Sequence, residues 1–180
     1  MTAVGLRLTG PGGCQYDLGD PIDVFDGQTL IGRVQSVRLS PDGAEVLIEN
    51  FITVDFQGFR IGALPKLVLA EVVSFIADLR PSIHTIGIEL SREIADFDGR
   101  EALLAKARSE ILQSIGAQDI RVTPKAAHFV VTGIWRYDSA SVAALAAALQ
   151  VQRDAYRAGK SAMPAPLRTR LGKLLRKKAS

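Results

Sequence analysis

Cysteine, histidine and tryptophan are all scarce in this sequence of 180 residues. It has one cysteine, two histidines and one tryptophan. A single cysteine excludes an intramolecular disulfide framework. Cys14, His84 and His128 lie far apart along the chain, and none of them pairs with another ligand at a spacing typical of zinc sites. We therefore expect neither a metal site nor a bound cofactor.

Familiar nucleotide and nucleophile motifs are also missing. The glycine-rich stretch Gly10–Gly13 lacks the Gly-Lys-Ser/Thr ending of a P-loop, and no helix is predicted after it. No G-x-G-x-x-G pattern joins a predicted strand to a helix, so a dinucleotide-binding fold has no support. A Gly-x-Ser-x-Gly elbow is absent as well. These absences leave no catalytic signature that the sequence alone can identify.

Long hydrophobic runs are absent too. The longest uninterrupted apolar run, Val142–Leu149, is too short to cross a bilayer. The first twenty residues have no basic start followed by an apolar core, so no signal peptide is predicted. We expect a soluble cytoplasmic protein.

The stretch Ser82–Gly159 carries the strongest structural signals and predicts the order β-α-β-β-α. Residues Ile83–Leu90 alternate in polarity as a strand does. A helix is predicted between Asp98, in a variant capping box, and Gly116 at the position after its end. One side of that helix carries an apolar stripe, formed by Leu104, Ala107, Ile111 and Ile115.

Two strands and a helix complete this unit. Strands are predicted at Ile120–Thr123 and Ala127–Tyr137, and the second is apolar on both faces, as interior strands are. Trp135 in that strand is interpreted as a core residue, with a stacking platform for nucleic-acid bases as the alternative. Asp138 or Ser139 then caps a helix that should end at Gly159.

Residues 1–61 predict mainly β structure. The turn Ser40–Gly43 combines proline and glycine in a way that favours a hairpin between Thr29–Leu39 and Ala44–Asn50. Phe51–Ile61 is predicted to add a further strand. Pro65 suits the first turn of a helix, whose apolar period continues to Arg80.

The predicted fold class is therefore α+β. We expect a single domain over residues 1–160, with a β-rich part (1–61) packed against a mixed part (62–160) that holds the β-α-β-β-α unit. Residues 161–180 are predicted to form a proline-containing linker and a basic, amphipathic helical tail.

Acid–base catalysis has four candidate residues: His84, His128, Glu89 and Asp96. Histidine is the side chain that changes charge near neutral pH, and carboxylates crowd the 89–98 segment. His84 shares one face of its predicted strand with three aliphatic residues and is interpreted as lying at the edge of the core. His128 stands at a strand start, where exposure is equally compatible. The same carboxylates are explained more simply by a solvated loop with a helix cap than by a Mg²⁺ or Ca²⁺ site.

Charge is divided unevenly along the chain. Residues 151–180 carry a net charge of +8, so the remaining residues carry −5 because the whole chain carries +3. Within the tail, four leucines share one helical face and basic residues cover the rest. The predicted binding residues are Leu167, Arg168, Arg170, Leu171, Lys173, Leu174, Leu175, Arg176, Lys177 and Lys178.

These observations predict a non-catalytic binding or assembly protein that uses its tail on an acidic partner. An acidic protein or a second copy of the chain is the first expected partner, an anionic membrane the second and nucleic acid the third. The alternative is a small enzyme that pairs His84 or His128 with a carboxylate of the 89–98 loop, in a cleft between the two parts.

Overall fold

A computed structural model describes residues 6–53, 64–79, 82–91, 101–125 and 128–161. The described chain forms seven strands, three α-helices and a short 3₁₀ turn at Pro11–Gly13. In chain order they are β1 (Arg7–Thr9), β2 (Ile22–Asp26), β3 (Thr29–Leu39), β4 (Glu45–Thr53), α1 (Leu64–Leu79), β5 (Thr85–Leu90), α2 (Glu101–Ser114), β6 (Gln118–Pro124), β7 (Phe129–Arg136) and α3 (Ser139–Ser161).

All seven strands belong to one mixed sheet with the order β1-β2-β3-β4-β5-β7-β6. Every neighbouring pair is antiparallel except β4 and β5, which are parallel. A parallel pair needs a long crossover connection, and α1 lies within this one. β7 lies between β5 and β6, so the prediction of an interior strand is confirmed.

The α+β fold class is confirmed. The β-rich part and the β-α-β-β-α unit meet edge to edge, through the pairing of β4 with β5 in one continuous sheet. The hairpin predicted at Ser40–Gly43 is present between β3 and β4. Phe51, expected to begin a separate strand, instead belongs to β4, and residues 54–61 lie outside the described residues.

α1 is the central helix of the core. Ten of its residues are buried, more than one side of a helix supplies, as expected for a helix enclosed by neighbours. It approaches β3 so closely that a side chain at Gly32 would collide with Val68. Within the described residues, no helix is both long and apolar enough to cross a membrane.

Side-chain hydrogen bonds join α3 to two elements that are distant in sequence. Arg153 donates from Nε and Nη2 to the Glu71 carboxylate of α1, at 2.6 and 2.8 Å. Nearer its end, the Tyr156 hydroxyl donates to Asp26 of β2 at 2.7 Å. Burial and the neighbouring Asp26 carboxylate raise the pKa of Tyr156 well above its usual range, so the phenol stays protonated and remains a donor.

The structure describes the predicted cap of α3 but not that of α2. Asp138 caps α3 as predicted, because its carboxylate accepts from the backbone N–H of Ser141 at 2.7 Å. α3 passes Gly159 and ends at Ser161, so the predicted stop at glycine is wrong. Asp98, the predicted cap of α2, and the basic tail 162–180 lie outside the described residues.

Gly116 occupies the position after α2 that requires a left-handed backbone, with φ +82°. A Cβ there would also lie 2.9 Å from Cα of Ser141 and 2.9 Å from Cβ of Ala144. We expect Gly116→Ala to lower the free energy of unfolding by about 2 kcal/mol, because the left-handed backbone would be strained and the new Cβ would also collide with α3. Gly43→Ala is the matched control, since Gly43 has φ +72° and nothing within 4 Å of its would-be Cβ.

Gly43→Ala should lower the free energy of unfolding by about 1 kcal/mol, because only the backbone strain applies there. Urea denaturation followed by circular dichroism measures both variants. Equal losses for the two glycines would contradict the close contact between the end of α2 and the start of α3.

Candidate active site

The parallel strands β4 and β5 separate before they end. Their last paired residues are Ile48 and Ile88. β4 continues to Thr53 and β5 to Leu90, and within the described residues these extensions do not pair with each other. Adjacent parallel strands bring their carboxyl ends to the same edge of a sheet, where open α/β sheets bind ligands. The gap between the strand ends is therefore the first place to look for a site.

Asn50 of β4 has an unusual backbone conformation. Its φ is +55°, in the left-handed region, where asparagine is tolerated better than most residues. Asn50 lies two residues beyond Ile48, the last residue of β4 that pairs with β5. The pairing of β3 with β4 skips Asn50 and the opposite residue Gln35 and then resumes in the same register. Residues in such conformations often lie next to functional sites.

A cavity of about 800 Å³ fills this gap. Its volume is in the range of pockets that hold substrates and cofactors. The walls come from the ends of β4 and β5, the first turn of α1, one side of α2 and the start of β7. The lining residues are Gln35, Asn50, Phe51, Ile52, Thr53, Pro65, Lys66, Leu90, Ser91, Leu104, Ala107, Arg108, Glu110, Ile111 and His128.

One end of the cavity is suited to an anion. Pro65 and Lys66 of the first turn of α1 line it. The amino end of a helix has backbone N–H groups without intrahelical partners, and the helix dipole favours negative charge there. A lysine at the same place adds a full positive charge. This combination is typical of sites that hold phosphate or carboxylate groups.

The polar groups of the opposite wall come from α2 and β7. Arg108 of α2 donates from Nη1 to the backbone carbonyl of Phe129 at 3.1 Å, which fixes α2 beside the start of β7. His128 directly precedes β7, and its Nδ1 atom is buried without a hydrogen-bond partner among the described residues. Glu110 also lines the cavity. The Nδ1 atom is shielded from solvent, so any contact of His128 with a ligand must come from another part of its ring.

Of the three candidate acid–base residues that the structure describes, only His128 lines this cavity. His84 is exposed, because β5 begins at Thr85 and His84 precedes it at the end of the sheet; the core-edge interpretation is wrong. Glu89 is half-buried and pairs across the sheet with Thr132, outside the cavity lining. Asp96 lies outside the described residues.

Neither Cys14 nor any cluster of metal-ligating side chains in the described part of the chain belongs to the site. Cys14 is exposed, and its thiol donates to the carbonyl of Pro11 at 3.0 Å. Within the described ranges, no three histidine, cysteine or acidic side chains come together in a way that could hold a metal ion.

Sequence patterns predict little of this cavity. Asn50 belongs to a predicted hairpin strand and Lys66 to a predicted helix, and neither position carries a motif of its own. The connection from β4 to α1 contains Gly58 and Gly62, and glycines ahead of a helix are a weak signal for phosphate binding near Lys66.

No protein-family model and no curated protein matches this chain. Solved structures with similar folds do exist. One, from Desulfovibrio desulfuricans, is described as a candidate acetyltransferase of the GNAT family; it is 12% identical, with a TM-score of 0.40 over 66% of this chain and 69% of the other. An acetyltransferase from Thermus thermophilus is 14% identical, with a TM-score of 0.36 over 64% of this chain and 62% of the other.

A third similar structure is the CoA-dependent acyl-homoserine lactone synthase MesI. It is 11% identical, with a TM-score of 0.47 over 78% of this chain and 75% of the other. At these scores the likeness is one of fold, and no residue role or substrate is carried over from these structures.

The functional predictions need correction. Two of these structures are described as acetyltransferases and the third as a CoA-dependent acyl-homoserine lactone synthase, which contradicts the prediction of a non-catalytic binding or assembly protein acting through its tail. The alternative prediction was a small enzyme with a cleft between the two parts, and the cavity is lined by residues of both parts. Of its two histidines only His128 lines the cavity, and Glu89, its one candidate carboxylate that the structure describes, does not.

Proposed function

We propose that this protein is an acyltransferase that takes its acyl group from a coenzyme A thioester. The observation that carries the proposal is the separation of β4 from β5 beyond Ile48 and Ile88, with a cavity at the amino end of α1. The transfer of an acyl group is the activity for which the similar structures are described.

Coenzyme A matches the cavity at three places. Its phosphates suit the amino end of α1 and the Lys66 ammonium group. The amide groups of its pantetheine arm suit the edge of β4 from Glu49 to Thr53, because an extended chain with amides can add to an open strand edge. The acyl end would then lie between the strand ends and α2.

The chemistry of transfer is simple to state. A nucleophilic amine or hydroxyl of the acceptor attacks the thioester carbonyl carbon, a new C–N or C–O bond forms, and the C–S bond breaks. The thiolate leaves, and the acceptor loses a proton. We assign the imidazole of His128, which lines the cavity, as the group that receives that proton.

Binding of coenzyme A is the direct test. Isothermal titration calorimetry with coenzyme A and acetyl-CoA should show binding at a single site. Lys66→Ala should weaken it about tenfold, because a charge-assisted contact to phosphate is lost. Lys106→Ala is the matched control, since Lys106 is an exposed lysine of α2 outside the cavity lining and should bind as the parent does.

Activity is measured as release of free thiol from acetyl-CoA or a longer acyl-CoA, with a panel of small amines and alcohols as acceptors. His128→Ala should reduce the rate and leave coenzyme A binding unchanged. Failure of the parent protein to bind either coenzyme A or its thioesters at millimolar concentration would overturn the proposal.

A further inference from the structure

α2 has two apolar sides, and only one of them belongs to the core. Ala105, Leu112 and Ile115 are buried in the core cluster. Leu104 and Ala107, three residues apart, line the cavity instead. Ile111, one helical turn further, lines the cavity as well and also packs against the core cluster, so it lies where the two sides meet. The sequence predicted one stripe running from Leu104 to Ile115; the structure divides it, with Ile115 in the core and Leu104 37% exposed.

The facing wall is apolar as well. Phe51 and Ile52 of β4 and Leu90 of β5 line the cavity. Ile52 is 43% exposed, so a ligand that contacts it would bury apolar surface. The cavity therefore has an apolar lining from α2 and from the strand ends, in addition to the charged side chains of Lys66, Arg108 and Glu110.

We infer that the acyl group carried by the thioester is a medium-length aliphatic chain, held between α2 and the ends of β4 and β5. The inference rests on the proposed function. An anionic head with an aliphatic tail complements a cavity that is cationic at one end and apolar along the other. An acetyl group is too short to cover Leu104, Ala107 and Ile111, so these residues set the chain length that the site prefers.

Affinity across a series of thioesters tests this inference without any acceptor. We expect octanoyl-CoA to bind at least about tenfold more tightly than acetyl-CoA in calorimetric titrations of the full-length protein. Complete burial of one methylene group raises the binding affinity about fourfold, so partial burial of the octanoyl chain is enough to give a tenfold difference. Coenzyme A and acetyl-CoA should bind with similar affinity, because the shared part of the molecule makes the same contacts.

A substitution locates the effect. Ala107→Phe fills the apolar section, so the affinities of octanoyl-CoA and acetyl-CoA should become equal. Ala102→Phe is the matched control, because Ala102 is an exposed alanine of the same helix outside the cavity lining. It should keep the preference of the parent.

The outcomes separate the two proposals. If no coenzyme A species binds, the proposed function fails and the inference fails with it. Equal affinities for acetyl-CoA and octanoyl-CoA overturn the inference alone. A preference for octanoyl-CoA that Ala107→Phe leaves intact also overturns it, since the chain would then lie elsewhere.

Discussion

Replacing Trp135 with alanine should lower the free energy of unfolding by about 3–5 kcal/mol, the usual cost of truncating a buried large aromatic side chain. Trp135 is 1% exposed and lies in the interior strand β7, opposite Ile86 of β5. Its truncation leaves a void in the centre of the core, which close-packed neighbours fill only in part. The measurement is urea denaturation followed by far-ultraviolet circular dichroism, since the variant lacks the chain's one tryptophan.

Two further variants check the cause. The Trp135 Nε1 atom is buried without a hydrogen-bond partner among the described residues, so Trp135→Phe removes an unsatisfied donor along with part of the ring. It should cost much less than the alanine variant. Tyr137→Ala removes an exposed ring that packs edge to face on Trp135, with the two ring centroids 5.8 Å apart. It should lower the free energy of unfolding by about 1 kcal/mol. A loss below about 1 kcal/mol for Trp135→Ala would contradict its central place in the core.

The second large effect is expected at Arg33. Its guanidinium pairs with the Asp23 carboxylate, with Nη2 donating to Oδ2 at 2.8 Å, and this hydrogen bond raises the pKa of Arg33. Asp23 is 1% exposed, whereas the Arg33 side chain is 42% exposed. Arg33→Met leaves a buried carboxylate without its cation, and we expect a loss of about 3 kcal/mol. The loss lies at the low end for such pairs because the Gly12 N–H still donates to Asp23.

Arg38→Met is the matched control, because Arg38 lies on the same strand and pairs with Glu49 at the surface. That variant should lose less than about 1 kcal/mol. The double variant Asp23→Asn with Arg33→Met should recover more than half of the loss, since the buried charge is gone. Denaturation midpoints measure all of them. Equal losses for Arg33→Met and Arg38→Met would show that burial of Asp23 has no energetic effect.

Local patterns in the sequence were enough to predict most of the elements. Pro65 placed α1, Gly116 placed the end of α2, and the alternation in Ile83–Leu90 matched β5 to within two residues. These features depend on neighbours in sequence, where proline, glycine and polarity act directly. The parallel pairing of β4 with β5 depends on contacts between residues far apart, which a single sequence does not encode in any short segment.

The cavity was harder to predict for the same reason. Lys66, Asn50 and His128 come from three separate elements and meet only when β4 and β5 separate. Apolar periodicity was also ambiguous: the Leu104–Ile115 stripe has the spacing of a core face, and spacing does not distinguish a residue that packs on protein from one that packs on a ligand. The division of that stripe became visible only in the folded chain.

The two attachments of α3 have a consequence for how the chain folds during synthesis. The Tyr156–Asp26 hydrogen bond joins residues 130 positions apart, and Arg153–Glu71 joins residues 82 apart. Contacts of such long range must wait until the C-terminal helix has left the ribosome, although β2 and α1 emerge much earlier. Until then Asp26 of β2 and Glu71 of α1 lack their hydrogen-bond partners in α3. A truncated or stalled chain that ends before α3 therefore exposes the buried Glu71 side chain and part of the apolar surface of α1, a surface that chaperones bind and that favours aggregation.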